Sequence, residues 1–238
     1  MYGREEYGTF SIVACDTQRK FWGVAVSTMP LFVGAVVPWA EAGVGALATQ
    51  ARSNIGYGPE GLGLLRRGLS AEEVVARLTR ADPRRQERQL GVVDRRGRAW
   101  AWTGKKCMES ATHVTGNGFT CQGNIVASEE VVHSMARAFE SSRGTLASRL
   151  LTTLRQGARA GGDRRGIQSA ALLVVHREPW SDPAWGDHWT DIRVDQHAHP
   201  IEELGRILRL DEAMTRKFLA ARRARLARLR KKRTARVS

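Results

Sequence analysis

Cysteine is scarce. Cys15, Cys107 and Cys121 are the only three, an odd number without a CxxC spacing, so neither a disulfide framework nor a thiolate zinc site underlies the fold. Long apolar runs are lacking as well. No stretch reaches the 18 residues that a membrane-spanning helix needs. The first eight positions, Met1 to Gly8, are polar and charged and have no hydrophobic leader core. These absences point to the cytoplasm. Aromatic residues make up only 7%, and no aromatic stacking platform accompanies the basic residues.

What is present is ordinary for a folded chain. Of 238 residues, 42% are hydrophobic and 26% charged, which excludes a disordered or fibrous protein. A chain this long buries about three quarters of its unfolded surface and needs no metal or disulfide staple. The net charge of +14 suggests nucleic acid until it is located. Arg216 to Arg236 holds 11 Lys and Arg and no acid, leaving 27 bases against 24 acids, net +3, in residues 1–215. Basicity is therefore a property of the tail.

Two apolar, β-branched stretches, Thr9 to Cys15 and Phe21 to Ser27, flank a polar turn and read as a hairpin covered on both faces. Further strands are expected at Val33 to Val37, Val44 to Thr49, Gln89 to Asp94, Ala99 to Thr103, Gly118 to Gln122, Gln168 to His176 and Asp191 to Val194. Helical segments are expected at Gly58 to Arg67, at Ser70 to Ala81 with Ser70 and Glu73 as a capping box, at Ser128 to Ser141 and at Thr145 to Gln156. Pro200 opens a long final helix. Hairpins, helix pairs and more strands make an α+β protein on antiparallel sheets.

The first hairpin carries the most information. With its loop centred near Gln18, residue 9 falls opposite residue 27, so Thr9 and Ser27 become neighbours on one face, their Cβ atoms roughly 5 Å apart. Asp16 lies seven residues along the strand, about 23 Å from Thr9, too far to be its base. A threonine hydroxyl becomes a nucleophile only when something takes its proton, and a free α-amino group on the same residue can do so. That requires Thr9 to become residue one. The other reading makes Thr9 a β-branched strand residue like its neighbours.

Thr9-Phe10-Ser11-Ile12-Val13-Ala14, Gly23-Val24-Ala25-Val26-Ser27, Val36-Val37-Pro38-Trp39-Ala40, Ala48-Thr49-Gln50-Ala51 and Asn54 with Tyr57-Gly58-Pro59 resemble a bacterial family of unknown function. That family is placed in the N-terminal-nucleophile (Ntn) hydrolase superfamily. The resemblance continues through Arg88-Gln89, Gly91-Val92-Val93-Asp94, Gln122-Gly123-Asn124-Ile125, Gly161-Gly162-Asp163-Arg164-Arg165-Gly166 and Ile192-Arg193-Val194-Asp195. It covers about residues 9–210. It implies an α-β-β-α four-layer sandwich of antiparallel sheets, with Thr9 as nucleophile attacking an amide and Ser27 orienting it. Members of the family often begin Met-Thr-Phe-Ser. Here eight residues precede Thr9, so residues 1–8 form an extension or propeptide, 9–215 the Ntn-like domain and 216–238 the basic tail. Either the Gly8–Thr9 bond is cut or Thr9 has no free amine.

Gln122 and Asn124 end an apolar strand just before a helix. There their amides either donate to a developing oxyanion or do ordinary helix-start work. Gln50, Asn54, Tyr57, Gln89 and His113 are placed to line a pocket for a polar, amide-bearing ligand. Asp163 either orients a substrate amine or pairs with arginine. Asp187, His188, Asp191, Asp195, His197 and His199 crowd into thirteen residues, but in loop and strand and without HExxH, so no metal is expected. Nor is a cofactor. Cys15 is a strand residue of the buried, inert kind. The tail, with Phe218, Leu219, Leu226 and Leu229 among its arginines, is either a contact for anionic partners or a solvated helix end. Two functions stand. One is an Ntn amidohydrolase of a small amide or acylated amine, assembling as a homo-oligomer by analogy with Ntn relatives. The other is a silent protein of the same fold that binds a small polar ligand or a protein partner.

Overall fold

The computed structural model describes residues 8–177 and 186–234, with position 227 and positions 229–234 as backbone alone. Residues 1–7, most of the expected extension, lie outside the described residues, as do the Leu229 side chain and the chain end from 235.

Among the described residues, ten strands form two antiparallel sheets. β1 (Thr9–Asp16), β2 (Phe21–Thr28), β7 (Thr112–Gly116), β8 (Phe119–Asn124), β9 (Ser169–Val175) and β10 (His188–Val194) make a six-stranded sheet in the order β10-β9-β2-β1-β8-β7. β3 (Pro38–Glu41), β4 (Gly45–Ala51), β5 (Arg88–Asp94) and β6 (Ala99–Thr103) make the second, in chain order. The helices are α1 (Tyr57–Arg66), α2 (Ala71–Ala81), α3 (Glu130–Ser141), α4 (Leu146–Arg159) and α5 (Pro200–Thr234).

Strand alternation sends β1 side chains to two different cores. Phe10, Ile12 and Ala14 join a cluster with Met135, Leu150 and Leu204 of α3, α4 and α5. Val13 and Cys15 face the second sheet and meet Val24, Ala46, Ala48 and Val93. On the outer face of the second sheet, Leu47, Leu90 and Val92 pack on Leu64, Val74 and Leu78 of α1 and α2. As expected, both faces of the first hairpin are covered. The capping box at Ser70 and Glu73 is formed.

The expected strand at Val33 to Val37 is instead a 3-10 turn, Val33–Ala35. Its valines recur at helical rather than alternating spacing: Val33 and Val37 both point into the inter-sheet core. Phe32 enters the turn at φ 63. The strand begins only at Pro38, on the edge of its sheet, where a missing N–H costs nothing. β7 was not anticipated. It is a five-residue edge strand of partly buried, mostly polar residues, Thr112–Gly116, without the apolar run that marks a core strand.

α5 runs for 35 residues, about 50 Å. Its docked part carries Ile201, Leu204 and Leu208 into the core, and beyond them Met214 and Phe218 are exposed.

Candidate functional site

Thr9 opens β1, buried at 4% exposure, between Thr28 of β2 and Asn124 of β8. The register corrects the expected pairing by one residue. Asp16 ends one strand and Phe21 begins the next, so the turn has four residues, Lys20 adopts φ 61, and Thr9 pairs with Thr28. A one-residue shift reverses the face. Ser27 therefore sits opposite Phe10, on the helix side, and its hydroxyl donates to the Ser169 carbonyl at 2.9 Å. It does not orient Thr9.

The hydroxyl that does meet Thr9 belongs to Thr28. Thr9 Oγ1 donates to Thr28 Oγ1 at 3.3 Å, and Thr28 Oγ1 donates to the Gly8 carbonyl. Arg165 donates to the same carbonyl through Nη2 at 3.1 Å. Asp163 holds that guanidinium, accepting from Nε at 3.0 Å and from Nη2 at 2.7 Å, and also accepts the backbone N–H of Met29. Of the two roles expected for Asp163, the arginine pair is the one formed. Thr9 and Thr28 form one wall of a cleft of ≈ 270 Å³ whose other walls include Pro30, Leu31, Val36 and Ile55. The cleft is mainly apolar.

Behind Thr9, between the sheets, four of the expected amides meet. Gln50 donates to the Thr9 carbonyl at 3.2 Å and to Gln89 Oε1 at 2.7 Å, and accepts from Ser11 at 2.6 Å. Gln122 donates to Ser11 Oγ at 2.6 Å and accepts from Thr120. Asn124 donates to Gln89 Oε1 at 2.9 Å. Gln89 donates to Thr103 Oγ1 and to the carbonyls of Thr112 and Gly123. Thr103 in turn meets His113 Nδ1 at 2.9 Å. Burial lowers the His113 pKa, which favours the neutral ring. Gly91 lets the sheets approach here, because a Cβ would meet Gln122 Cδ and Thr120 Cγ2 at 2.8 Å.

Among the described residues these side chains are turned toward one another. Gln50, Gln89, Gln122 and Asn124 are at most 1% exposed and spend their polar atoms on one another and on the backbone. No described buried side-chain N or O lacks a partner.

Asn54 and Tyr57 go elsewhere. With Arg88 they surround Asp82, whose Oδ2 accepts from Tyr57 OH at 2.9 Å, Arg88 Nε at 2.9 Å and Asn54 Nδ2 at 3.3 Å. Burial alone would raise the Asp82 pKa, but hydrogen bonds from Arg88, the Arg84 backbone, Tyr57 and Asn54 outweigh it and bring it to about 2. Burial, together with Asp82, pushes the Tyr57 phenol up. Burial also pushes the Cys15 thiol to about 12, which leaves it protonated. Among the described residues, no group of three or more His, Cys, Asp or Glu is placed to hold a metal ion. A second apolar cleft, ≈ 470 Å³, lies at the far end of β1 between Phe21, Leu146, Trp189 and Thr215.

Sequence reasoning missed Thr28, Arg165 and Ser11. A four-residue turn, read from the polar run Thr17 to Lys20, would have given the Thr28 register. Arg165 stood within a noted motif, but nothing local marks it as reaching Gly8, 157 positions away.

Residues 9–204 match a family of unknown function, DUF1028. The chain belongs to that family. A DUF1028 protein from Silicibacter pomeroyi, solved by crystallography, is 33% identical, superposes with a TM-score of 0.76 and covers 85% of each chain. No curated protein matches. The DUF1028 region begins at Thr9, which lines the cleft with Thr28, and leaves the first eight residues and the basic tail outside.

Among the described residues, no helix is long and apolar enough to cross a membrane.

Proposed function

We propose that this protein is an Ntn amidohydrolase that acts on a small amide or acylated amine through Thr9 after the Gly8–Thr9 bond is cut. One observation carries the reading: Thr9 begins a central strand and lines a cleft, while the carbonyl joining it to the preceding residue is held by Arg165 and Thr28. The packing order of α3 and α4, the six-stranded sheet, the four-stranded sheet, then α1 and α2 supports it, being the α-β-β-α layering that an Ntn fold has.

In the uncut chain Thr9 Oγ1 donates to another hydroxyl, which is no base. Hydrolysis of the Gly8–Thr9 bond leaves a carboxylate on Gly8 and an amine on Thr9. That amine takes the hydroxyl proton as Oγ1 bonds to the substrate's acyl carbon. The carbon–nitrogen bond then breaks, the leaving amine takes the proton, and water hydrolyses the Thr9 ester. The apolar cleft suits a substrate with little charge beside its amide.

A second reading is a silent binding protein of the same fold. The closed amide network favours it, since no described buried side-chain N or O lacks a partner. Intact mass and amino-terminal sequencing of the purified protein separate the two. A chain beginning at Thr9 supports hydrolysis, and a chain that keeps residues 1–8 under native conditions supports the silent protein.

A further inference from the structure

Gly8 sits in a mould. It is buried, and a Cβ on it would lie 2.8 Å from Ile125 Cβ and 2.9 Å from Arg165 Nη2, closer than real Cβ atoms approach, and at a tight 3.0 Å from Asp163 Oδ1. Two of those neighbours are rigid. Ile125 is 2% exposed and held at φ 51, and Asp163 is fixed by Arg165 and the Met29 N–H. The Gly8 carbonyl oxygen has two donors, Thr28 Oγ1 and Arg165 Nη2.

We propose that the place Gly8 holds in the uncut chain becomes the acyl site of the cut one, and that it takes an unbranched acyl group, glycyl or acetyl in type, or the matching carboxylate. The proposal rests on the reading that residues 1–8 leave and free the Thr9 amine. An ester of Thr9 with a glycyl acyl group has the same atoms around its carbonyl carbon as the Gly8–Thr9 junction with oxygen in place of nitrogen. The donors to the Gly8 carbonyl are thus placed for the oxygen of such an ester. Once the ester is hydrolysed, the carboxylate lies between the Arg165 guanidinium and the Thr9 ammonium, both of opposite charge. Ile125 sets the selectivity by occupying the space of a β-carbon.

Every described strand and helix begins at or after Thr9, as does every core side chain, so a chain of residues 9–238 keeps the fold. Its probe is the synthetic peptide of residues 1–8 with a free carboxylate, compared by calorimetry with the Gly8→Ala peptide. One added methyl group at a close-fitting site costs about ten-fold or more in binding. The glycine peptide is therefore expected to bind at least about ten-fold tighter. In the Ile125→Ala protein the alanine peptide should recover most of that loss. Equal affinities, no binding of either peptide, or no recovery in Ile125→Ala overturns the acyl site. Hydrolysis of N-acetyl, N-propionyl and N-isobutyryl 4-nitroanilides by the same chain tests the other half. Falling rates along the series support the site, and a flat or rising series overturns it. If no anilide is hydrolysed while the glycine preference persists, the hydrolase reading fails and the carboxylate site stands.

Discussion

The space between the two sheets is filled in two different ways. At the Cys15 end it is hydrocarbon, with Val13, Trp22, Val24, Val26, Ala46, Ala48 and Val93 in contact. At the Thr9 end β1, β4, β5 and β8 bring Ser11, Gln50, Gln89, Thr120, Gln122 and Asn124 into that space. Apolar burial is non-directional and stabilises any close packing. Buried amides stabilise only if each donor and acceptor is met, which ties the strands to one register. The hydrocarbon half thus supplies stability, and the amide half fixes where Thr9 stands relative to Thr28 and Arg165.

Trp22→Ala should break the hydrocarbon half most severely, because Trp22 is 4% exposed and its indole also donates to the Asp94 carbonyl. Its chemical denaturation midpoint should report a loss of about 3–5 kcal/mol. Gln122→Leu keeps volume but takes the donor from Ser11 Oγ, which still donates to Gln50, and the acceptor from Thr120 Oγ1, and should cost about 1–3 kcal/mol. A double-mutant cycle with Ser11→Ala should show coupling of at least about 0.5 kcal/mol. If Gln122→Leu is silent, the amides are not a closed network and the contrast between the halves disappears.

The Asp82 cluster, next along β5 from Gln89, sharpens the contrast by adding a charge. Its folded pKa of about 2 lies below the ordinary 3.8, so it stabilises the fold above about pH 4 and loses that contribution as pH falls through about 2. Melting curves of Asp82→Asn should therefore converge on the wild type between pH 4 and pH 2 and differ above. The smallest effect on stability belongs to the tail. Removing residues 216–238 takes away none of the three core clusters and should change stability by no more than about 0.5 kcal/mol. It should also abolish salt-sensitive retention on an anionic resin, whereas unchanged retention at moderate salt would place the basic contact elsewhere.

Much of this was legible because period and polarity act locally. The first hairpin, the Ser70 capping box and the Pro200 helix each follow from a few adjacent residues. The α+β class followed from their order. Thr9, Gln50, Gln89, Gln122 and Asn124 could be picked out as polar residues in apolar strands. That they bond one another could not, since it depends on two sheets packing face to face. The Ser27 error has one cause: the turn is four residues, Thr17 to Lys20, rather than five centred on Gln18, and that one-residue change of register moves every side chain of β2 to the other face. The Val33 to Val37 error arose because β-branched residues suggest strand even where their spacing is helical.

The most direct test compares amide hydrolysis by two forms of one protein, the chain beginning at Thr9 and the full chain with Gly8 still attached. Freeing the amine should raise the rate by about 100-fold or more, the usual worth of a positioned general base, and Thr9→Ala should remove the gain. Equal rates in the two forms, or a gain that survives Thr9→Ala, would contradict a mechanism built on that hydroxyl and its own amine.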